Sequence, residues 1–247
     1  MLLACAAVPQ ALAAQTAANP AAPTAYLTAA ELPDPKAYLA APPAPGTPAF
    51  VADRAAHEAA LKEKDGAGWN RAKAQLSFRQ PEVRAQIACA LGATLDLAPT
   101  TAFGRLMARS GATLSLASEQ SKAVWNRDRP YAGTKSPVAC DAKLDFGVHS
   151  PSYPSGHSAT GWLWGLMLAE IAPARSATLL GWGAGVGANR IACGVHYPSD
   201  IVAGRDVGAA VYARLQSVPD FRADIEGAKA EYAAAKAKGP APACATE

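Results

Sequence analysis

This chain is poor in the residues that hold metals. Its 247 residues include four histidines and five cysteines, and no stretch gathers the three or four His, Cys or carboxylate ligands a zinc site requires. No metal or other cofactor is therefore expected. Charged residues make up 17% of the chain and the formal net charge is +3, too small and too evenly spread for a nucleic-acid-binding face. That balance suits small anionic ligands instead. No segment beyond the N-terminal region approaches the ~20 continuous apolar residues of a membrane helix, so no membrane span is expected. β-Branched runs are scarce and repeats are absent, whereas alanine is abundant, which favours helices over sheet.

The first residues, MLLACAAVPQALAAQ, form an apolar run ending in Ala11-Leu12-Ala13, the small-x-small pattern of a signal-peptide cleavage site. Residues 1–14 are thus expected to be a signal peptide whose missing basic start marks it as cut short. Leu2-Leu3-Ala4-Cys5 also resembles a lipoprotein box, but the apolar run continues past Cys5, which favours cleavage and a periplasmic or secreted protein over a lipid anchor. Residues 15–48, rich in Pro and Ala, read as an arm lying over the domain or partly disordered. Residues 49–240 read as one helical domain. Helices are predicted over 53–64, over 81–97 with Pro81 in the first turn, and from 101 through Lys122, closing by Arg129-Pro130. A loop follows to Pro154, a candidate lid. An apolar stretch over 158–171 with Trp162 and Trp164 reads as a buried central helix. Others are expected over 175–190, 200–215 and 221–236. Gly181, Gly183, Gly185 and Gly187 cost helix propensity, which close helix packing would offset.

Three fragments carry chemistry: Lys122-x6-Arg129-Pro130, Pro154-Ser155-Gly156-His157 and Arg190-x5-His196-x3-Asp200. Lys122, Arg129 and Arg190 can surround a tetrahedral oxyanion, and each arginine can fork two oxygens. If the long helix persists to Arg129, Lys122 and Arg129 share a face; Arg127, at another phase, is then expected on the surface. Ser155 to His157 sit where a loop becomes a helix, so their N–H groups can cradle an anion. Asp200, four residues after His196, can reach back to one imidazole nitrogen and fix the tautomer. His57, in a charged helix, and His149, in the polar loop, are expected to face solvent.

Together and in this order, these motifs resemble the signature of the phosphatidic acid phosphatase type 2 superfamily, which vanadium haloperoxidases share. Within it, SYPSGHSATGW (152–162), MLAEIAP (167–173), CGVHYPSDIVAG (193–204) and the upstream LAAPPAPGTPAF (39–50) are most similar to class A bacterial non-specific acid phosphatases. One departure is Asn189-Arg190, where the family usually has Ser-Arg. The resemblance implies a single-domain all-α bundle acting on small phosphomonoesters through a phosphohistidine, with phosphotransfer to alcohols as a side activity. His196 would attack, His157 would protonate the leaving group and Asp200 would orient His196. Lys122, Arg129, Ser155, Gly156 and Arg190 would hold the phosphoryl oxygens. An acidic optimum follows from a protonated His157 beside a free-base His196. The alternatives are a vanadium-dependent haloperoxidase and a non-catalytic phosphate-binding module. Homo-oligomerisation stays open. After the leader, Cys89, Cys140, Cys193 and Cys244 allow three disulfide connectivities in an oxidising compartment. Cys140 with Cys193 is preferred, because it would fasten the loop after Arg129 to the segment before His196; Cys89 would then pair with Cys244.

Overall fold

A helix that is apolar over most of its surface belongs inside a fold, and Gly156–Ile171 (α6) is such a helix, with Glu170 near its end as an ion-paired exception. In the computed structural model Leu163, Met167 and Leu168 on it are fully buried. The structure describes residues 23–239 other than 136, 146 and 148, together with Cys244. Around α6 are arranged Pro35–Tyr38 (α1), Pro48–Lys62 (α2), Ala67–Lys73 (α3), Pro81–Leu91 (α4), Ala102–Trp125 (α5), Ser176–Ala192 (α7), Pro198–Leu215 (α8) and Pro219–Ala237 (α9). The described residues contain no strand, so the all-α expectation holds. The expected leader and Cys5 lie outside the described residues. Among those described, no helix is long and apolar enough to cross a membrane.

The core joins α6 to Phe103, Leu106 and Leu114 of α5, Leu179 of α7, Val207, Val211 and Leu215 of α8, and Phe221 and Ile225 of α9. Helix α7 approaches α6 so closely that a Cβ on Gly183 would lie 2.4 Å from the Gly161 carbonyl oxygen, and one on Gly161 2.7 Å from Val186 Cβ. Gly187 is likewise pressed on Ser158 and Ile201, whereas Gly181 and Gly185 face open space. Only half of the glycine series is therefore explained by packing. Glycines two apart point to opposite sides of a helix, so all four could not serve one contact.

Residues 23–47 lie against this bundle. Tyr26, Leu27, Leu32 and Leu39 are buried in the same core, and the Tyr26 hydroxyl donates to Asp224 on α9 at 2.7 Å. Thr47 caps α2 through the Phe50 N–H (3.3 Å) with Pro48 in the first turn, so α2 begins five residues before its predicted start. Helix α4 ends at Leu91 rather than 97, because Gly92 turns left-handed at φ 66°. Helix α3 was not expected; Trp69 on it anchors a second small cluster with Tyr131, Cys140, Cys193 and Val195. That cluster and the Cys140–Cys193 disulfide, with Cα atoms 4.7 Å apart, hold the segment after Arg129 against the end of α7. The Cys89–Cys244 bond is also formed, across 5.2 Å between Cα atoms.

Candidate active site

The ends of four elements meet at one place: the C-terminus of α5, the N-terminus of α6, the last turn of α7 and the first of α8. Lys122 stands in the last turn of α5, which stops at Trp125 because Asn126 adopts a left-handed cap (φ 42°). The helix does not persist to Arg129, so Lys122 and Arg129 do not share a helical face. They converge because the chain folds back: the Lys122 ammonium donates to the Pro151 carbonyl, and Arg129 Nε donates to Ser150 O at 2.8 Å.

Ser155 is the N-cap of α6, its Oγ accepting the Ser158 N–H at 3.3 Å. That oxygen accepts, so its hydroxyl proton remains to donate. The Gly156 and His157 N–H groups point out of the helix start with no acceptor among the described residues. A Cβ on Gly156 would lie 2.9 Å from Ser118 Oγ of α5, so the glycine serves helix packing as well as backbone access. Behind this turn, Arg190 is 2% exposed and donates to the Ala72 carbonyl at 2.6 Å. Its Nε is buried without a partner, which is costly for a charged donor unless a ligand supplies the acceptor. Neighbouring Asn189 donates to Gln75 Oε1 at 2.8 Å, the bond made at the position where the family usually has serine.

His196 is 3% exposed. Its Nδ1 lies 3.2 Å from Asp200 Oδ2, and its Nε2 lies 3.2 Å from Arg129 NH1. A guanidinium can only donate, so Nε2 must hold the lone pair and Nδ1 the proton. Asp200 Oδ2 also accepts the Ser152 hydroxyl and the Tyr197 N–H (2.8 Å). Burial raises the Asp200 pKa, but hydrogen bonds from His196, Ser152 and the Tyr197 backbone and the attraction of His196 outweigh it and bring it to about 2. His157 stacks on Phe78 with ring centroids 5.4 Å apart, and its Nε2 lies 3.2 Å from the Leu76 carbonyl, to which it donates.

The cations act on both imidazoles. Burial first, then Arg190, Arg129 and Lys122, bring His157 down to about 3, the Leu76 carbonyl opposing. Burial also brings His196 to about 3, with Arg129 and Lys122 adding to it and Asp200 opposing. Lys122 is lowered to about 7 by burial and by Arg129, and Arg190 to about 10 by burial. Both histidines are thus neutral at mildly acidic pH unless an anion adds its charge. The sign for stability follows. Unfolding returns each imidazole to about 6.5, so their contribution to stability is full above that pH and is lost as pH falls towards 3. A tetrahedral dianion should offset this loss. We expect sulfate to raise the melting temperature more at pH 4.5 than at pH 7.5, measured by scanning fluorimetry; an equal rise at both would refute it.

Two placements differ from expectation. Arg127 is buried, not on the surface: it bonds Asp53 Oδ2 at 2.8 Å and Asp200 Oδ1 at 2.7 Å. The early stop of α5 removes the helical phase on which the surface assignment rested, and Asn126 is the residue that signals that stop. His57 is also buried, its Nε2 3.3 Å from the Gly194 carbonyl, because Asp53 and His57 form the buried face of α2. His149 is exposed as expected, bonded through Nε2 to Asn126 Oδ1 at 2.8 Å. Ser152, Asp53 and Leu76 were not singled out. Only Ser152, inside the SYPSGH stretch, carried a sequence signal.

Among known proteins, the PAP2 superfamily matches residues 100–222. An acid phosphatase of Zymomonas mobilis is 33% identical over 179 residues, 72% of this chain and 68% of that one. A non-specific acid phosphatase of Providencia stuartii is 38% identical over 122 residues, 49% of each chain. One of Salmonella typhimurium is 45% identical over 80 residues, 32% of each. The last two matches span a half and a third of those enzymes.

Proposed function

The chain belongs to the PAP2 superfamily and is a phosphomonoester hydrolase, and on that premise we propose that it is an exported, metal-independent acid phosphatase working through a phosphohistidine. The reading rests chiefly on one observation: the His196 Nε2 lone pair faces Arg129, with Lys122 also acting on the imidazole, while Nδ1 is bound to Asp200. In the first step Nε2 forms a bond to phosphorus as the bond to the ester oxygen breaks, and His157 protonates the departing alkoxide. Lys122, Arg129, Arg190, the Ser155 hydroxyl and the Gly156 N–H take the phosphoryl oxygens. Arg190 Nε, buried without a protein acceptor, is the donor most in need of one. Arg129 must leave Nε2 for a phosphoryl oxygen before attack. In the second step water attacks phosphorus, gives its proton to His157 and returns the electron pair to His196. An alcohol in place of water gives phosphotransfer. Because the grip is on the phosphoryl group alone, many phosphomonoesters qualify.

Three fixed cationic side chains supply the electrostatic stabilisation of the transferring group. Turnover of p-nitrophenyl phosphate is therefore expected to survive EDTA and to be inhibited competitively by orthovanadate. Loss of activity on chelation, restored by a divalent ion, would overturn the metal-independent reading.

A further inference from the structure

Behind Asp200 runs a chain of buried charge for which hydrolysis as described has no use. Asp53 of α2, Arg127 of the loop after α5 and Asp200 of α8 have side chains 5, 7 and 0% exposed. Arg127 NH2 reaches Asp53 Oδ2 at 2.8 Å, and its NH1 reaches Asp200 Oδ1 at 2.7 Å. Its guanidinium carbon also lies 4.3 Å over the Tyr197 ring. Asp53 is bound in turn to the turn that carries Asp200, through the Ser199 N–H at 3.0 Å and the Ser199 hydroxyl, which accepts from Arg127 NH1 at 2.7 Å. Burying three charges is expensive unless all are paired, and a fold needing only packing could use apolar residues here.

We infer that Arg127 and Asp53 are positioning residues for the nucleophile, holding the Asp200 carboxylate so that its Oδ2 faces His196 Nδ1. The inference rests on the phosphohistidine reading. A carboxylate can turn about its Cβ–Cγ bond. Arg127 on Oδ1, with Ser152 and the Tyr197 N–H on Oδ2, removes that freedom and leaves Oδ2 directed at the imidazole. Asp53 does the same for Arg127, occupying its second amino group. Two carboxylates and one guanidinium carry a net negative charge, which stands behind the imidazole as it becomes cationic on attack. Lysine keeps the charge of arginine but cannot fork two carboxylates.

The Arg127→Lys enzyme should lose about 10–100-fold in kcat, the effect of a small misplacement of a reacting group, with KM for p-nitrophenyl phosphate nearly unchanged. Inhibition separates positioning from general damage. Sulfate is held by the cations, the Ser155 hydroxyl and the Gly156 N–H and forms no bond to His196, so its inhibition constant at neutral pH, where both imidazoles are uncharged, should stay at the wild-type value. Orthovanadate, which mimics the five-coordinate state formed on His196, should weaken in step with kcat. Should Arg127→Lys fold poorly, the Asp53→Asn/Arg127→Met double variant removes the unpaired carboxylate and tests the same point. It should be folded by near-ultraviolet circular dichroism and still slow. Recovery of wild-type kcat in the double variant, or equal weakening of sulfate and vanadate, would overturn the inference while leaving the phosphatase reading intact. A wild-type enzyme that neither turns over p-nitrophenyl phosphate nor binds vanadate overturns both.

Discussion

Replacing His196 by alanine should abolish turnover, by roughly 10⁵–10⁶-fold, the scale on which removal of a covalent nucleophile acts. The trapped phosphoenzyme should vanish with it. The expectation follows from hydrogen-bond logic, since Arg129 can only donate to Nε2 and Asp200 Oδ2 receives the Nδ1 proton. The attacking nitrogen is therefore set before substrate arrives. Among the described residues, Lys122 is engaged as a donor to the Pro151 carbonyl, and His157 is held with its ring on Phe78 and its Nε2 on the Leu76 carbonyl. The alanine enzyme should still fold, because Arg127, Ser152 and the Tyr197 N–H continue to satisfy Asp200. Rapid quench at neutral or alkaline pH with phosphorus-labelled substrate gives the answer, as acid would cleave a phosphorus–nitrogen bond. Label on His157, or an adduct in the alanine enzyme, would reverse the assignment.

What could be read from the chain and what could not divides along a physical line. Motif residues whose roles depend on chemical type, such as His196 beside Asp200 or the Ser155 cap, are gathered as their spacing suggested. Features that depend on where a helix stops were missed. One left-handed residue, Asn126, ends α5 and sends Arg127 inward and Arg129 into a loop, and no periodicity argument carries across such a turn. His57 failed for a related reason. Its helix is charged enough to suggest solvent on all sides, yet Asp53 and His57, four apart, make one face that tertiary ion pairs and the Gly194 carbonyl cover. Pairing across the fold decides such cases, and a single sequence contains no direct record of it. The α7 glycines lie between these extremes. Their spacing announced close packing, but only Gly183 and Gly187 meet neighbours tightly.

The second large effect is that of His157→Ala on alkyl phosphates, a loss of about 10²–10⁴-fold, the span of general acid catalysis. Its size should depend on the leaving group. An alkoxide needs the proton as the bond to phosphorus breaks, whereas p-nitrophenolate is stable without it, so the deficit should shrink markedly for p-nitrophenyl phosphate. Geometry identifies the atom involved. With Nε2 donating to the Leu76 carbonyl at 3.2 Å and the ring held against Phe78, Nδ1 is the nitrogen left to exchange a proton with substrate. Electrostatics add a condition that the motifs alone did not contain. Burial, Arg190, Arg129 and Lys122 bring this imidazole to about 3, so at mildly acidic pH it carries no proton of its own to give. The phosphoryl charge must raise it, and His157 is charged as the substrate is gripped. The acid must therefore be present in the complex rather than in the free enzyme. Accordingly, the limb of the kcat profile that reports His157 should lie at higher pH than the limb it contributes to kcat/KM. The alanine enzyme should lose that limb from kcat. Equal deficits for alkyl and p-nitrophenyl esters would show that His157 holds substrate or structure and does not supply the proton.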